Sequence, residues 1–290
     1  MRVDDVRDRG MVGSFFSGDD ERPRAGVLVL GGSDGGIPSH LAATLASEGF
    51  TCLALAYFGT AGLPRHLAEI PLEYVETALR WLGEQPLVAG PRVGVIGASR
   101  GAELALLAAA SFPDRIGAVV AYAPSSVVFA GIDLRGDARR RSAWSHGGKP
   151  VAFVPYAAGS RPSLSRRGLS VAPMYRTALE NDDAVAAATI PVERTRAPVL
   201  LVSGDQDAMW PSSQMGEMVK ARLARLGRGD QVVHLRYPKA GHALAPRAPS
   251  GARSRIMSRL YDLGGQPRDN REAALDAWPK AVSFFRTHLE

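Results

Sequence analysis

VGVIGASRGAELALLAAA, residues 93–110, is the stretch on which the fold turns. Val93–Ile96 is a short apolar run of strand length, and Ala102–Ala110 is a continuous helix-forming run. Between them stands Gly97-Ala98-Ser99-Arg100-Gly101, a G-x-S-x-G pattern. Small residues are common and the pattern alone says little; the strand before it and the helix after it give it meaning. That context requires a sharp turn that lifts Ser99 out of a sheet. Glycines two residues to either side remove the Cβ atoms that would collide there, and the helix N-terminus favours developing negative charge. Ser99 is therefore a candidate nucleophile.

Outward from this turn the same rhythm repeats. Short apolar runs at Val27–Leu30, Thr51–Ala56, Ala118–Tyr122, Val199–Ser203 and Val232–Tyr237 alternate with longer segments of helical period. This is the pattern of an α/β fold with a mostly parallel sheet flanked by helices. Leu72, Val75, Leu79 and Leu82 recur at steps of three and four, so they share one helix face. Leu275, Trp278, Val282, Phe285 and Leu289 predict a second stripe, docked on the sheet near the C-terminus. The stretch from about residue 124 to 196 is rich in Gly, Pro, Ser and Arg and breaks the alternation, so it is expected to be a cap or elaborated loop region over the strand ends. The whole chain, 1–290, reads as one domain.

Composition narrows the function. Hydrophobic residues make up 46% of the chain and charged residues 22%, enough apolar material for a core. No run nears the roughly 18 apolar residues of a membrane span, and the first ten residues lack the apolar segment of a signal peptide, so a cytoplasmic protein is expected. The single cysteine, Cys52, lies in an apolar run and reads as core; no Cys/His spacing suggests a metal site, and no cofactor is expected. The net charge of +6 comes largely from arginine. Scattered basic residues without a recognition motif argue against nucleic acid and leave anionic small ligands or acidic carrier proteins as partners. In the 124–196 region Arg135, Arg139, Arg140, Arg141, Arg161, Arg166 and Arg167 could meet such a ligand or form a solvated basic surface.

Three further segments complete a site. Gly31-Gly32-Ser33-Asp34-Gly35-Gly36 follows the first strong strand and does not fit the dinucleotide pattern G-x-G-x-x-G. In an α/β-hydrolase, the fold to which a G-x-S-x-G elbow points, this loop supplies one backbone N–H of an oxyanion hole, here from Ser33 or Asp34, and the residue after the nucleophile, Arg100, supplies the other. The strand Val199–Ser203 runs into Gly204-Asp205-Gln206-Asp207; Asp207, farther from the strand end, is the better-placed acid, with Asp205 as the alternative. Of six histidines (His40, His66, His146, His234, His242, His288), only His242 lies in a short loop just after a late strand, completing the order Ser, Asp, His.

Several separated motifs resemble the catalytic domain shared by acyl-CoA thioesterases and bile acid-CoA:amino acid N-acyltransferases. They are Ala54-Leu55-Ala56-Tyr57-Phe58, Leu63-Pro64, Ile70-Pro71-Leu72-Glu73-Tyr74, Ala78 through Leu82, and Ile190-Pro191-Val192-Glu193. The acid turn closed by Trp210, the Tyr-Pro-x-x-Gly-His of residues 237–242, and Gly264-Gly265-Gln266-Pro267-Arg268 complete the set. The resemblance runs from about residue 9 to the C-terminus. It implies nucleophile, acid and base at Ser99, Asp207 and His242, and an acyl thioester of coenzyme A or a carrier protein as substrate; from the residues themselves, the cap arginines Arg139, Arg140 and Arg141 and the acid-turn Trp210 are the candidate substrate contacts. Serine at the nucleophile matches the thioesterases, whereas the acyltransferases carry cysteine, so hydrolysis leads over transfer or ester and lactone cleavage. A non-catalytic ligand-binding relative is the remaining alternative. Fewer than about 25 residues precede the first strong strand, so the N-terminal β-sandwich domain of those relatives is not expected. The Ser33-Asp34 pair stands where relatives are richer in glycine.

Overall fold

The computed structural model describes residues 1–133, 137–246 and 260–289. Its strands are β1 (Arg2–Val6), β2 (Val12–Ser17), β3 (Gly26–Leu30), β4 (Thr51–Ala56), β5 (Ile70–Pro71), β6 (Val93–Ala98), β7 (Ile116–Tyr122), β8 (Trp144–His146), β9 (Lys149–Pro150), β10 (Ser163–Ser165), β11 (Gly168–Ser170), β12 (Val199–Gly204) and β13 (Val232–Tyr237). The helices are α1 (Ser39–Ser47), α2 (Leu72–Gly83), α3 (Arg100–Ser111), α4 (Ala172–Ala178), α5 (Asp182–Ala188), α6 (Ser212–Arg225) and α7 (Pro267–Leu289). No described helix is long and apolar enough to cross a membrane.

Eight strands form one sheet in the order β1-β2-β4-β3-β6-β7-β12-β13. The pairings from β4 through β13 are parallel, and β1 and β2 join antiparallel at one edge. All six strands expected from the sequence are present and lie side by side. The β1–β2 hairpin was not legible: Arg2-Val-Asp-Asp-Val carries charge at alternate and adjacent positions, as edge strands often do to discourage further pairing.

Alternation along the central strands feeds two cores. Leu28, Leu53, Val119 and Leu201 face α2, α3 and α6, while Val27, Cys52, Val120 and Leu200 face α1 and α7. Helix α3 is buried along almost its whole length, and its run of alanines lets it lie close to the sheet. The predicted α2 stripe of Leu72, Val75, Leu79 and Leu82 is buried.

The α7 stripe needs correction. Leu275 is 69% exposed, and the buried face is Ala273, Ala277, Ala281, Val282 and Phe285. Alanines four apart bring the helix down onto the sheet, and Leu275, two residues from both Ala273 and Ala277, points away. Phe285 and Leu289 fill a hollow above glycines: a Cβ on Gly94 would come within 2.8 Å of both side chains, and one on Gly117 within 2.7 Å of Leu289.

The described part of residues 124–191 leaves the carboxyl end of β7 and reaches the Gly204–Asp207 side of the sheet, whereas residues 192–196 return to the other end, where Arg196 pairs with Asp114 ahead of β7. Short pairs β8–β9 and β10–β11 and helices α4 and α5 build the 124–191 part, and the N–H groups of Val171 and Ala172 both donate to Ala208 O, next to the acid turn. A buried ion pair ties it to α3. Arg100 donates to Glu103 at 2.8 Å and to the carbonyls of Phe129 and Ala130 at 3.1 Å. Glu103 also accepts from Trp144 Nε1 at 2.7 Å and from the Phe129 N–H at 3.4 Å. Both side chains are within 1% of complete burial.

Two measurements test this packing. Phe285→Ala should cost about 3–5 kcal/mol by chemical denaturation, whereas Leu275→Ser should change stability by no more than about 0.5 kcal/mol. Burial pushes the Glu103 carboxyl up to about 7 from its ordinary 4.5, against the pull of Arg100 and the Trp144 N–H. The folded chain then holds this proton more tightly than the unfolded chain. The group's contribution to stability is complete below about pH 4.5 and is lost as pH rises through about 7. Wild-type stability, referenced to Glu103→Gln at each pH, should decline across that window; parallel stability curves would refute it.

Candidate active site

The turn after β6 has the strain that the sequence demanded. Ser99 adopts φ 56° and ψ −121°, a region that non-glycine residues rarely occupy and that persists only when surrounding structure imposes it. Its N–H donates to Tyr122 O at 2.8 Å, and its own carbonyl accepts from Ala102 and Glu103 at 2.9 and 3.1 Å. The flanking glycines are sterically required. A Cβ on Gly97 would lie 2.1 Å from Gly101 O, and one on Gly101 would lie 2.3 Å from Gly31 O and 2.5 Å from Leu30 O. The second contact shows that the start of α3 presses directly on the end of β3.

That contact sets the glycine loop against Ser99. A Cβ on Gly32 would be 3.2 Å from Ala98 O and 3.5 Å from Ser99 Cβ, so the loop backbone passes beside the serine. Tyr57 Oη donates to Gly31 O at 2.5 Å and holds the loop from below. Among the described residues, the backbone N–H groups of Ser33, Asp34 and Arg100 are not engaged in hydrogen bonds. Asp34 is exposed, so its carboxylate keeps its hydration beside this loop. The Arg100 guanidinium is buried against Glu103 and the Phe129 and Ala130 carbonyls, so only its backbone faces the turn.

Beyond β12 and β13 the candidate acid and base meet. Asp207 Oδ2 lies 2.8 Å from His242 Nδ1, and both residues are buried. The carboxylate also accepts from Ser212 Oγ at 2.6 Å and from the N–H groups of Met209 and Trp210 at 2.9 and 3.2 Å. A carboxylate opposite Nδ1 assigns the ring proton there and leaves the Nε2 lone pair free to take a proton. The His242 N–H donates to Leu263 O at 2.7 Å, and the preceding Gly241 N–H donates to Asn270 Oδ1 at 2.6 Å. Asp205, the sequence alternative for the acid, turns away and pairs with Arg236 at 3.0 Å. Ser99 shares the carboxyl edge of the sheet with this pair, two strands from β12. No hydrogen bond joins Ser99 Oγ to His242 among the described residues; such bonds are often long until substrate is bound.

The candidate substrate contacts divide. Arg139 lies with its guanidinium 5.8 Å from the Tyr156 ring centroid, and Arg140 is exposed. Arg141 is engaged in an ion pair with Glu69, and Arg167 with Asp262 and Gly265 O, so neither presents a free cation. Arg135 lies outside the described residues. Trp210 is 2% exposed and packs edge-on to His242 at 6.1 Å, with Tyr175 at 5.5 Å behind it. It is a wall of the base's pocket more than a surface contact. Ser212 and Asn270 were missed from sequence: a serine and an asparagine near turns carry no signal until the turn beside them is known. Among the described residues no His, Cys, Asp and Glu cluster could hold a metal ion.

Comparisons with known proteins place the chain by family and by fold. The chain is similar to acyl-coenzyme A thioesterase 6 of Mus musculus, 33% identical over 272 residues, covering 91% of this chain and 60% of that protein. It is 30% identical over 294 residues to acyl-coenzyme A thioesterase 1 of Homo sapiens, covering 100% of this chain and 66% of that protein. The chain thus spans roughly three-fifths to two-thirds of these relatives. Among solved structures, a putative dienelactone hydrolase from Klebsiella pneumoniae matches with TM-score 0.57 at 17% identity, over 98% of this chain and 97% of that one. An α/β hydrolase from a Penicillium species matches with TM-score 0.54 at 15% identity, over 96% and 94%. These confirm the α/β-hydrolase fold. Residues 70–290 match the family model described as BAAT / acyl-CoA thioester hydrolase C terminal, and the chain belongs to that family.

Proposed function

We propose that this chain is a serine hydrolase that cleaves acyl thioesters through an acyl-serine intermediate. The observation that carries the reading is the Asp207–His242 contact on the same sheet edge as the strained Ser99 turn. His242 Nε2 takes the Ser99 proton as Oγ attacks the thioester carbonyl, and Asp207 stabilises the imidazolium. The N–H groups of Arg100 and of Ser33 or Asp34 receive the oxyanion. Collapse of the tetrahedral species expels the thiolate, which is protonated from His242, and leaves the acyl group on Ser99. Water, deprotonated by the same histidine, then releases the acid. An acyl-serine is an oxygen ester and less prone to aminolysis than a thioester, which favours hydrolysis over transfer to an amine.

The relatives named above are thioesterases of coenzyme A esters, and that leaving group, like an acidic carrier protein, is anionic. A net charge of +6 suits either. Arg139 and Arg140, exposed on the cap, are cations that can meet phosphates, whereas Arg141 is occupied by Glu69. Trp210 contributes by shaping the pocket around the base. The reading takes the chain as one catalytic domain working in the cytoplasm, where a lone buried cysteine meets no oxidising pressure.

Purified protein should release free thiol from acyl-CoA, and Ser99→Ala should lower kcat by on the order of 10⁴-fold or more. Activity retained in that variant rejects the nucleophile. Neutralising Arg139 and Arg140 together should raise KM several-fold at low ionic strength and much less at high salt; a KM unmoved at low salt removes these arginines from substrate recognition. Incubation with amines or alcohols separates the alternatives, since conjugates forming faster than free acid would identify an acyltransferase.

A further inference from the structure

Behind the acid turn lies a second Ser-His-carboxylate array that the proposed chemistry does not use. His234, on β13, places Nε2 2.7 Å from Ser203 Oγ and Nδ1 2.8 Å from Glu217 Oε1. Its side chain is fully buried and Ser203 is 0% exposed, so no substrate carbonyl reaches this serine. The array is therefore not a second catalytic centre. Its position in the fold suggests another role.

Ser203 is the penultimate residue of β12, the strand from which the Gly204–Asp207 turn departs. Its Oγ also lies 2.9 Å from Ser213 Oγ, and Ser213 donates to Asp205. Asp205 is clamped from the other side by Arg236 of β13. Helix α6 supplies the opposite wall: Ser212 in its first turn donates directly to Asp207 Oδ2, and Glu217 one turn later holds the His234 ring. The ring thus pegs α6 to both β12 and β13, the elements that carry the acid and the base. The sequence has made room for it. A Cβ on Gly216 would lie 2.5 Å from His234 Cε1, so only glycine at this helical position admits the imidazole, at a cost in helix propensity of about 1 kcal/mol.

We infer that His234 is a positioning residue for the acid of the triad, its ring joining Glu217 on α6 to Ser203 at the end of β12 so that Asp207 stays in register with His242. The carboxylate opposite Nδ1 sets the ring as donor to Glu217 and acceptor from Ser203. Ser203 is thereby fixed in one rotamer, and α6 cannot slide along the sheet without breaking the peg. If α6 shifted, Ser212 would withdraw from Asp207. Displacements of about 1 Å in catalytic groups cost on the order of 100-fold in rate, so a modest loosening is measurable.

This inference rests on the proposed triad, and its test reads the positioning separately from the chemistry. Glu217 is 44% exposed, so Glu217→Ala releases the ring without opening the core. In this variant kcat for thiol release should fall about tenfold with KM within about twofold, and Glu217→Gln, which still accepts from Nδ1, should recover most of the loss. The low-field proton resonance of the Asp207–His242 bond, identified by its absence in His242→Ala, should broaden or shift in Glu217→Ala and return in Glu217→Gln. His234→Gln, if it folds, should behave as Glu217→Ala does. An unchanged resonance, an unchanged kcat, or a glutamine variant no better than alanine overturns the inference. Thiol release surviving in Ser99→Ala would instead overturn the proposed function, and the resonance alone would then decide whether His234 positions Asp207.

Discussion

The backbone of Ser99 is the constraint around which the rest is arranged. A serine at φ 56° and ψ −121° stores strain of order 1–3 kcal/mol, and it is held there only because its neighbours leave it no other path. Three contacts impose that path: Gly97 against Gly101, Gly101 against the carbonyls of Leu30 and Gly31, and the Ser99 N–H on Tyr122 O. Each involves a different strand of the parallel sheet. A substituent at Gly101 would separate β3 from α3 and move the glycine loop away from Ser99, and one at Gly97 would push α3 off β6. The geometry at Ser99 is thus a property of how closely β3, β6 and β7 approach one helix. The same requirement explains the alanine-rich sequence of α3, whose larger neighbours would hold the helix off the sheet.

The fold was legible where the chain had to be unambiguous. Fully buried parallel strands read as apolar runs because both faces are covered, as in β3, β4, β6, β7 and β12; the edge strand β13 is partly exposed and mixes His234 and Arg236 into its run, yet its position in the alternation still marked it. β1, exposed and charged, left no such mark, and β2, though buried, has its apolar run broken by Gly13, Ser14 and Ser17. The stripe on α7 was displaced because large apolar residues drew the reading toward Leu275, while contact with the sheet is made through alanines chosen for closeness. Hydrophobicity patterns report which residues avoid water more clearly than which residues touch.

For the site, residues that had to sit in a turn of special shape were visible: Ser99, Asp207 and His242 each follow a strand and each is bracketed by glycine or a second turn residue. Their supports were invisible. Ser212, Asn270 and His234 act across sequence distances of 5, 29 and 31 residues to Asp207, Gly241 and Ser203. Nothing local distinguishes a serine that orients a carboxylate from one that faces solvent. The arginine cluster shows the same limit. Arg139, Arg140 and Arg141 are consecutive in sequence, yet Arg141 turns into an ion pair with Glu69 while Arg139 lies over an aromatic ring.

The buried Arg100–Glu103 pair links the two halves of this account. Replacing such pairs by apolar side chains is often neutral or stabilising, so stability alone does not explain a charge pair under the cap. What the pair provides is direction. The guanidinium has fixed donor vectors, and two of them end on the Phe129 and Ala130 carbonyls, while the carboxylate receives Trp144 and the Phe129 N–H. An apolar contact would let the cap settle at several heights above α3; these bonds admit one. Because Arg100 directly follows Ser99 in the chain, its side chain and main chain are fastened to the cap and to the turn respectively, and the space between them is set by a single residue.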